Sequence, residues 1–333
     1  REAPEIAAPR CLGQAKWQYA LLGSKQAAAA HDGGPASADA AELAARRADL
    51  ALYGGRYHAA EDTYRALVNG PGLFGHYVRL GLLKKWLGSP GEAASFIEAA
   101  EKRYHADAPI TVAWLKLERG LVALDRGRFD EALAMYRLAS DALDGWWLID
   151  EHIAELLYLS GKTQEAKKLY ENIIARTGNP EFMDALAAIE RAEGNEANAI
   201  TLRLKARTIY EQRLVAFPEA AAGHALDHFL QDPADAERAL ALAQKNFDTR
   251  PYGESAIALA KAWMLAGKPD RAVPLIEAQL AKGWDTAQAY WVLGEALSKM
   301  GKPQRANQAK SAALRRNAQS EKMYAYPPPA VSR

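Results

Sequence analysis

Two histidines stand four residues apart in His224-Ala225-Leu226-Asp227-His228. On a helix that spacing puts both imidazoles on one face, a geometry that can chelate a divalent metal. A metalloprotease helix of the H-E-x-x-H type also needs a glutamate directly after the first histidine. Ala225 stands there, so that chemistry is excluded. Asp184 or Glu254 could supply a third ligand from a neighbouring segment. Two histidines packed and hydrogen-bonded between helices account for the pair equally, and this packing role is the expected one, with no metal and no other cofactor bound. Glu151 and Glu155 are four apart as well, but helical chains produce such pairs constantly, and no acid–base couple is read from them. Trp146-Trp147 is read as packing and not as a sugar platform. Cys11 is the single cysteine, so neither an intramolecular disulfide nor a cysteine zinc cluster can form. There is no G-x-x-x-x-G-K-S/T phosphate loop, no G-x-G-x-x-G and no G-x-S-x-G serine elbow. The expectation is a protein that is not an enzyme.

The elements that carry these residues are helices. Roughly one residue in five is alanine, which favours close-packed helices over sheets. Over 333 residues, 42 Lys+Arg balance 41 Asp+Glu for a net charge of +1. That balance argues against a general nucleic-acid binder, which needs a basic excess. No run of 18 apolar residues exists to span a membrane.

The chain repeats itself. A glycine-containing turn is followed by an aromatic residue or proline and then, three residues on, by alanine. Gly55-Arg56-Tyr57 leads to Ala60, Gly88-Ser89-Pro90 to Ala93, Gly127-Arg128-Phe129 to Ala132, and Gly161-Lys162-Thr163 to Ala166. The pattern returns at Gly194 with Ala199, Gly267-Lys268-Pro269 with Ala272, and Gly301-Lys302-Pro303 with Ala306. The glycines are 33, 39, 34, 33, 73 and 34 residues apart. The gap of 73 has room for a degenerate unit whose turn is Ala234-Asp235-Ala236, followed by Ala239. The extra residues in the gap of 39 fall at His105-Ala106-Asp107-Ala108-Pro109, and the helix after Gly194 is overlong, running from Ala197 to Leu214 without Gly or Pro.

A period near 34 with this turn resembles the tetratricopeptide family. Tyr290-Trp291-Val292-Leu293-Gly294 and Tyr77-Val78-Arg79-Leu80-Gly81 match its W-x-x-L-G element, and Tyr64, Tyr136 and Tyr170 stand where it prefers an aromatic. The resemblance covers about residues 40 to 317. It implies an all-α, right-handed solenoid of about eight helix pairs, each burying its apolar face on the next, and a particle more elongated than a sphere. It also implies that the first helix of each pair lines a concave groove that binds a protein or peptide. Counted from each turn, the groove residues are Lys85, Trp86, Trp114, Leu117, Glu151, Glu155, Tyr158, Asp184, Arg191, His224, His228, Glu254, Lys261, Trp291 and Glu295. That mixture suits a peptide better than a nucleic acid, with Arg191 and Lys261 available to acidic groups. The function expected from the resemblance is a non-enzymatic scaffold or assembly factor; the alternative is a metal-handling accessory protein using His224 and His228.

The expected organisation is a tail and capping helix over 1–38 with its helix from Leu12 to Ala30, repeats one to five over 39–217, repeats six to eight over 218–317, and an extended tail over 318–333 with a polyproline-like stretch at Tyr326–Pro329. The start at Arg1-Glu2-Ala3-Pro4-Glu5 reads as the loose beginning of an exported bacterial protein, favouring the periplasm or the exterior over the cytoplasm. The sequence assigns no oligomeric state.

Overall fold

The computed structural model describes residues 38–106 and 108–324. The helix expected at Leu12–Ala30, Cys11 and the proline run at 326–329 lie outside the described residues. Within them the chain forms helices and no strand. Eight pairs follow one another: α1 (Ala38–Tyr53) with α2 (Tyr57–Asn69), α3 (Phe74–Trp86) with α4 (Pro90–Arg103), α5 (Pro109–Asp125) with α6 (Phe129–Ala142), and α7 (Trp147–Leu159) with α8 (Thr163–Thr177). Then come α9 (Pro180–Ala192) with α10 (Glu196–Ala216), α11 (Pro218–Phe229) with α12 (Ala236–Thr249), α13 (Gly253–Leu265) with α14 (Pro269–Ala281), and α15 (Ala287–Lys299) with α16 (Pro303–Arg316). A short α17 (Ser320–Tyr324) closes the described chain.

The repeat signature has a direct physical reading. All seven turn glycines take positive φ, from 68° at Gly127 to 86° at Gly194, which ends the first helix of the pair at low steric cost. In the sixth pair a 3-10 turn at Pro233–Asp235 does this work without glycine. Proline opens α4, α5, α9, α11, α14 and α16, where a missing N–H leaves no bond unmade. The eight alanines three residues into the second helices, Ala60 through Ala306, are at most 1% exposed. They let the two helices of a pair approach closely, and the buried rings of Tyr64, Tyr136 and Tyr170 fill the space one turn further on.

Each second helix packs on the first helix of the next pair, and first helices also meet directly, as α9 does α11 and α13 does α15. The result is two layers, odd-numbered helices inside and even-numbered helices outside. Ion pairs run along each layer, Lys85 (α3) to Glu118 (α5) in the inner and Arg305 (α16) to Glu277 (α14) in the outer. The core is continuous across Phe217-Pro218: Met183, Tyr210, Leu226 and Leu259 belong to one apolar cluster.

The array is wound tightly enough for its first and last pairs to meet. Tyr57 at the start of α2 donates from its hydroxyl to Gln279 Oε1 at 2.7 Å and packs its ring on Trp284, 5.3 Å between centroids. A Cβ on Gly55 would lie 2.6 Å from the Pro251 carbonyl oxygen, one on Gly88 2.1 Å from that of Asp285, and one on Gly127 2.6 Å from Asn317 Oδ1. The turns of pairs 1, 2 and 3 thus rest on the segments that lead pair 7, lead pair 8 and follow pair 8. The superhelix returns on itself after six pairs, and residues of pairs 1, 2, 7 and 8 form one core.

The same contact corrects the expected C-terminal tail. Residues 320–324 are helical because they complete this seam. Asn317 Nδ2 donates to the Leu124 carbonyl at 3.0 Å, Ser320 Oγ to the Asn317 and Ala313 carbonyls, and Met323 packs into the core of pairs 3 and 4.

Candidate concave binding surface

Tyr53, Trp86 and Asp125 each stand two residues before a turn glycine, and they end the first helices of pairs 1, 2 and 3. Equal phase in the repeat puts them side by side on the inner layer. The seam then brings in Tyr252 and Glu254 from the start of α13. Tyr53 lies 6.1 Å from Trp86 and 5.4 Å from Tyr252, ring centroid to centroid, the second contact edge-on. Tyr252 donates from its hydroxyl to Glu254 Oε2 at 3.0 Å. Lys85, one residue before Trp86, makes a 2.6 Å ion pair with Glu118.

Electrostatics mark this patch as acidic. Protein surrounds the Asp125 carboxyl even though part of its surface stays exposed. Burial, with Glu118 and Glu254 adding to it against the pull of Lys85, pushes its pKa up to about 7. Burial alone would lower the Lys85 ammonium, but Glu118 and then Asp125 outweigh it and hold the charge on. Burial, then Glu254 and Asp49, pushes the Tyr53 phenol up. Further along the inner layer, His152 Nδ1 sits 3.3 Å from Glu151 and 3.4 Å from Glu155. Among the described residues these three form the one set of His, Cys, Asp or Glu ligand atoms that all lie within 4.8 Å of one another.

The two histidines singled out by spacing are placed differently. His228, 1% exposed, holds Asp184 of α9 with Nδ1 2.9 Å from both carboxylate oxygens, and Tyr210 and Phe229 enclose its ring. His224 pairs with Glu181, also of α9. Arg203 approaches Asp184 at 3.7 Å. Burial pushes the Asp184 carboxyl up against the opposing His228 and Arg203. Each imidazole is therefore one half of a pair joining pair 5 to pair 6, the packing arrangement.

The other groove residues divide by exposure. Trp291 is buried, its indole N–H on Glu295 at 3.1 Å and Lys310 over its ring. Arg191 reaches out to Glu196 through three hydrogen bonds. Leu117 is core. Trp86, Trp114, Tyr158 and Lys261 are half-buried, with Trp114 packed between two core clusters. The Tyr158 hydroxyl is buried without a hydrogen-bond partner. Of the groove residues expected from the sequence, the structure thus brings Lys85, Trp86 and Glu254 together, the last through the seam, and adds Tyr53, Glu118, Asp125 and Tyr252.

No protein-family model matches the sequence, and no curated protein matches it. Solved structures match in fold. The conjugation gene regulator Rap of plasmid pLS20, in complex with a Phr peptide, is 12% identical, with 86% of this chain and 75% of that one covered and a TM-score of 0.51. A tetratricopeptide repeat protein from Parabacteroides merdae is 16% identical over 74% of this chain and 98% of its own, with a TM-score of 0.41. MamA is 15% identical over 50% and 95%, with a TM-score of 0.41.

Proposed function

We propose that the chain is a non-enzymatic scaffold that holds a protein or peptide segment against its odd-numbered helices. The observation that carries this reading is the convergence of aromatic and charged side chains from pairs 1, 2, 3 and 7 on the inner layer, where partly exposed Tyr53 and Trp86 are backed by the buried ring of Tyr252. Aromatic side chains that are already held by their neighbours offer a large contact area at little ordering cost. Recognition of an extended or helical segment follows from such a groove. The Rap regulator, similar in fold, is recorded with a peptide bound, which supports the same use here. Metal handling by His224 and His228 is disfavoured by their commitment to Glu181 and Asp184. Among the described residues no helix is long and apolar enough to cross a membrane.

Hydrogen exchange tests the reading. The protein that co-purifies from the source cells should protect amides of α1, α3, α5 and α13 when compared with the stripped chain. Protection confined to even-numbered helices would move the site to the convex face.

A further inference from the structure

The inner layer carries more negative charge than the chain as a whole. From α13 through α5 to α7 run Glu254, Glu118, Asp125, Glu155 and Glu151, with Lys85 as the cation set among them and His152 beside the last two. The ends of this run are open: Glu254 is exposed and the Glu155 side chain is 43% exposed. Its middle is enclosed, with Glu118 at 11%.

A second feature points the same way. Tyr136 is fully buried, and its hydroxyl has no hydrogen-bond partner. Its ring stacks on His152 with centroids 5.6 Å apart. The charges that its hydroxyl feels most are Glu155 and Glu151, then Asp125 and Glu118. An unmade bond of this kind sits beneath the acidic run, where a bridging water can complete it.

Resting on the scaffold reading above, we propose that the segment held in the groove is basic, its lysine or arginine side chains seated along Glu254, Glu118, Asp125, Glu155 and Glu151, with the Tyr53, Trp86 and Tyr252 rings at one end. The occupant is a lysine- or arginine-bearing peptide stretch of a partner protein. Carboxylates from three inner helices attract such a chain, and a cation over aromatic rings gains a further contact.

The test uses the full chain and three fluorescein-labelled peptides of equal length: one alternating Lys and Arg with Gly and Ser, one with Glu at the basic positions, and one with Ser there. Fluorescence anisotropy should show the basic peptide binding at least about tenfold tighter than the other two, with affinity falling as salt rises. The double variant Glu155→Lys/Glu254→Lys changes two exposed side chains. It should melt like the parent and lose about tenfold or more of the basic peptide's affinity. Unlabelled spermidine should compete only weakly, because it lacks a backbone to span the groove. Equal binding of all three peptides, indifference to the charge reversals, or displacement by spermidine at the peptide's own concentration overturns the proposal. A Glu or Ser peptide that binds and protects the odd-numbered helices overturns the charge assignment alone and leaves the scaffold reading standing.

Discussion

At the scale of single residues, glycines that look alike in the repeat do different work. Gly88 and Gly301 hold the same turn position with φ of 78° and 69°. Alanine at either meets the same left-handed strain, about 1 kcal/mol. At Gly301 an added Cβ meets nothing within 4 Å, whereas at Gly88 it meets the Asp285 backbone oxygen at 2.1 Å. Gly88→Ala should therefore cost about 1–3 kcal/mol more than Gly301→Ala in denaturant melts, because the seam has to shift to admit it. Equal costs would mean that pair 2 does not rest on the segment leading pair 8. Tyr136 gives a change of opposite sign. A buried hydroxyl without a partner costs about 1–3 kcal/mol of desolvation. Tyr136→Phe keeps the packed ring and should raise stability by up to about 1–2 kcal/mol in the free chain. A clear loss of stability would reveal a bond to that hydroxyl in the free state.

At the scale of elements, the helix pairs were legible and the seam was not. The glycine turns, the alanine three residues on and the opening prolines reported the hairpins one by one, down to the glycine-less sixth and the overlong α10. This is local information: each signal is read by a helix end or a partner helix within one period. The placement of Tyr57 on Gln279, 222 positions away, depends instead on the summed rotation and rise of six pairs, which no single repeat encodes. The groove was legible in the same proportion. Phase alone marks Lys85 and Trp86, and it could have marked Tyr53 and Asp125, which share the position two before the turn glycine. Tyr252 and Glu254 join them through the seam. Phase gave no warning that Trp291 is spent in packing, because burial depends on the neighbouring pair. α17 is the clearest casualty of local reading. Residues 318–333 read as an extended tail, yet Ser320 is fully buried and Met323 packs into the core of pairs 3 and 4. Ending the chain at Gln319 should accordingly cost about 2–4 kcal/mol, the range for losing a buried side chain of that size. Hydrogen exchange should speed up in α5 and α6 beneath it. A truncated chain with the parent's midpoint and protection would make α17 an ornament.

At the scale of the whole molecule, the closed superhelix places a titrating acid where two of its turns meet. Asp125 has a folded pKa of about 7, raised by burial and by Glu118 and Glu254, against roughly 3.9 when the chain is unfolded. Lys85 faces it from α3, Glu254 from α13, and Tyr324 from α17, whose phenol burial and the Asp125 and Glu155 charges push up. Between these two pKa values the folded state holds a proton that the unfolded chain has released. The stability tied to that proton is complete below about pH 4 and is lost as pH rises through 7. Below about pH 5 a contrary effect enters. Despite partial burial, hydrogen bonds from Lys84, Lys116 and Lys167 hold Glu61, Glu101 and Glu190 below the usual range, and these pairs weaken as their carboxylates gain protons. The clean window is therefore about pH 5.5 to 8. Across it the parent should lose about 2 kcal/mol of unfolding free energy, the equivalent of about one and a half pKa units. Asp125→Asn should flatten most of that slope and be the more stable chain at pH 8. His152→Gln in the Asp125→Asn background serves as the control for the neighbouring imidazole of α7. The basic peptide should run the other way, binding the parent more tightly at pH 8 than at pH 6 as Asp125 ionises, with the dependence reduced in Asp125→Asn. Parallel slopes in parent and variant, in both melting and binding, would place the titrating group elsewhere in the molecule.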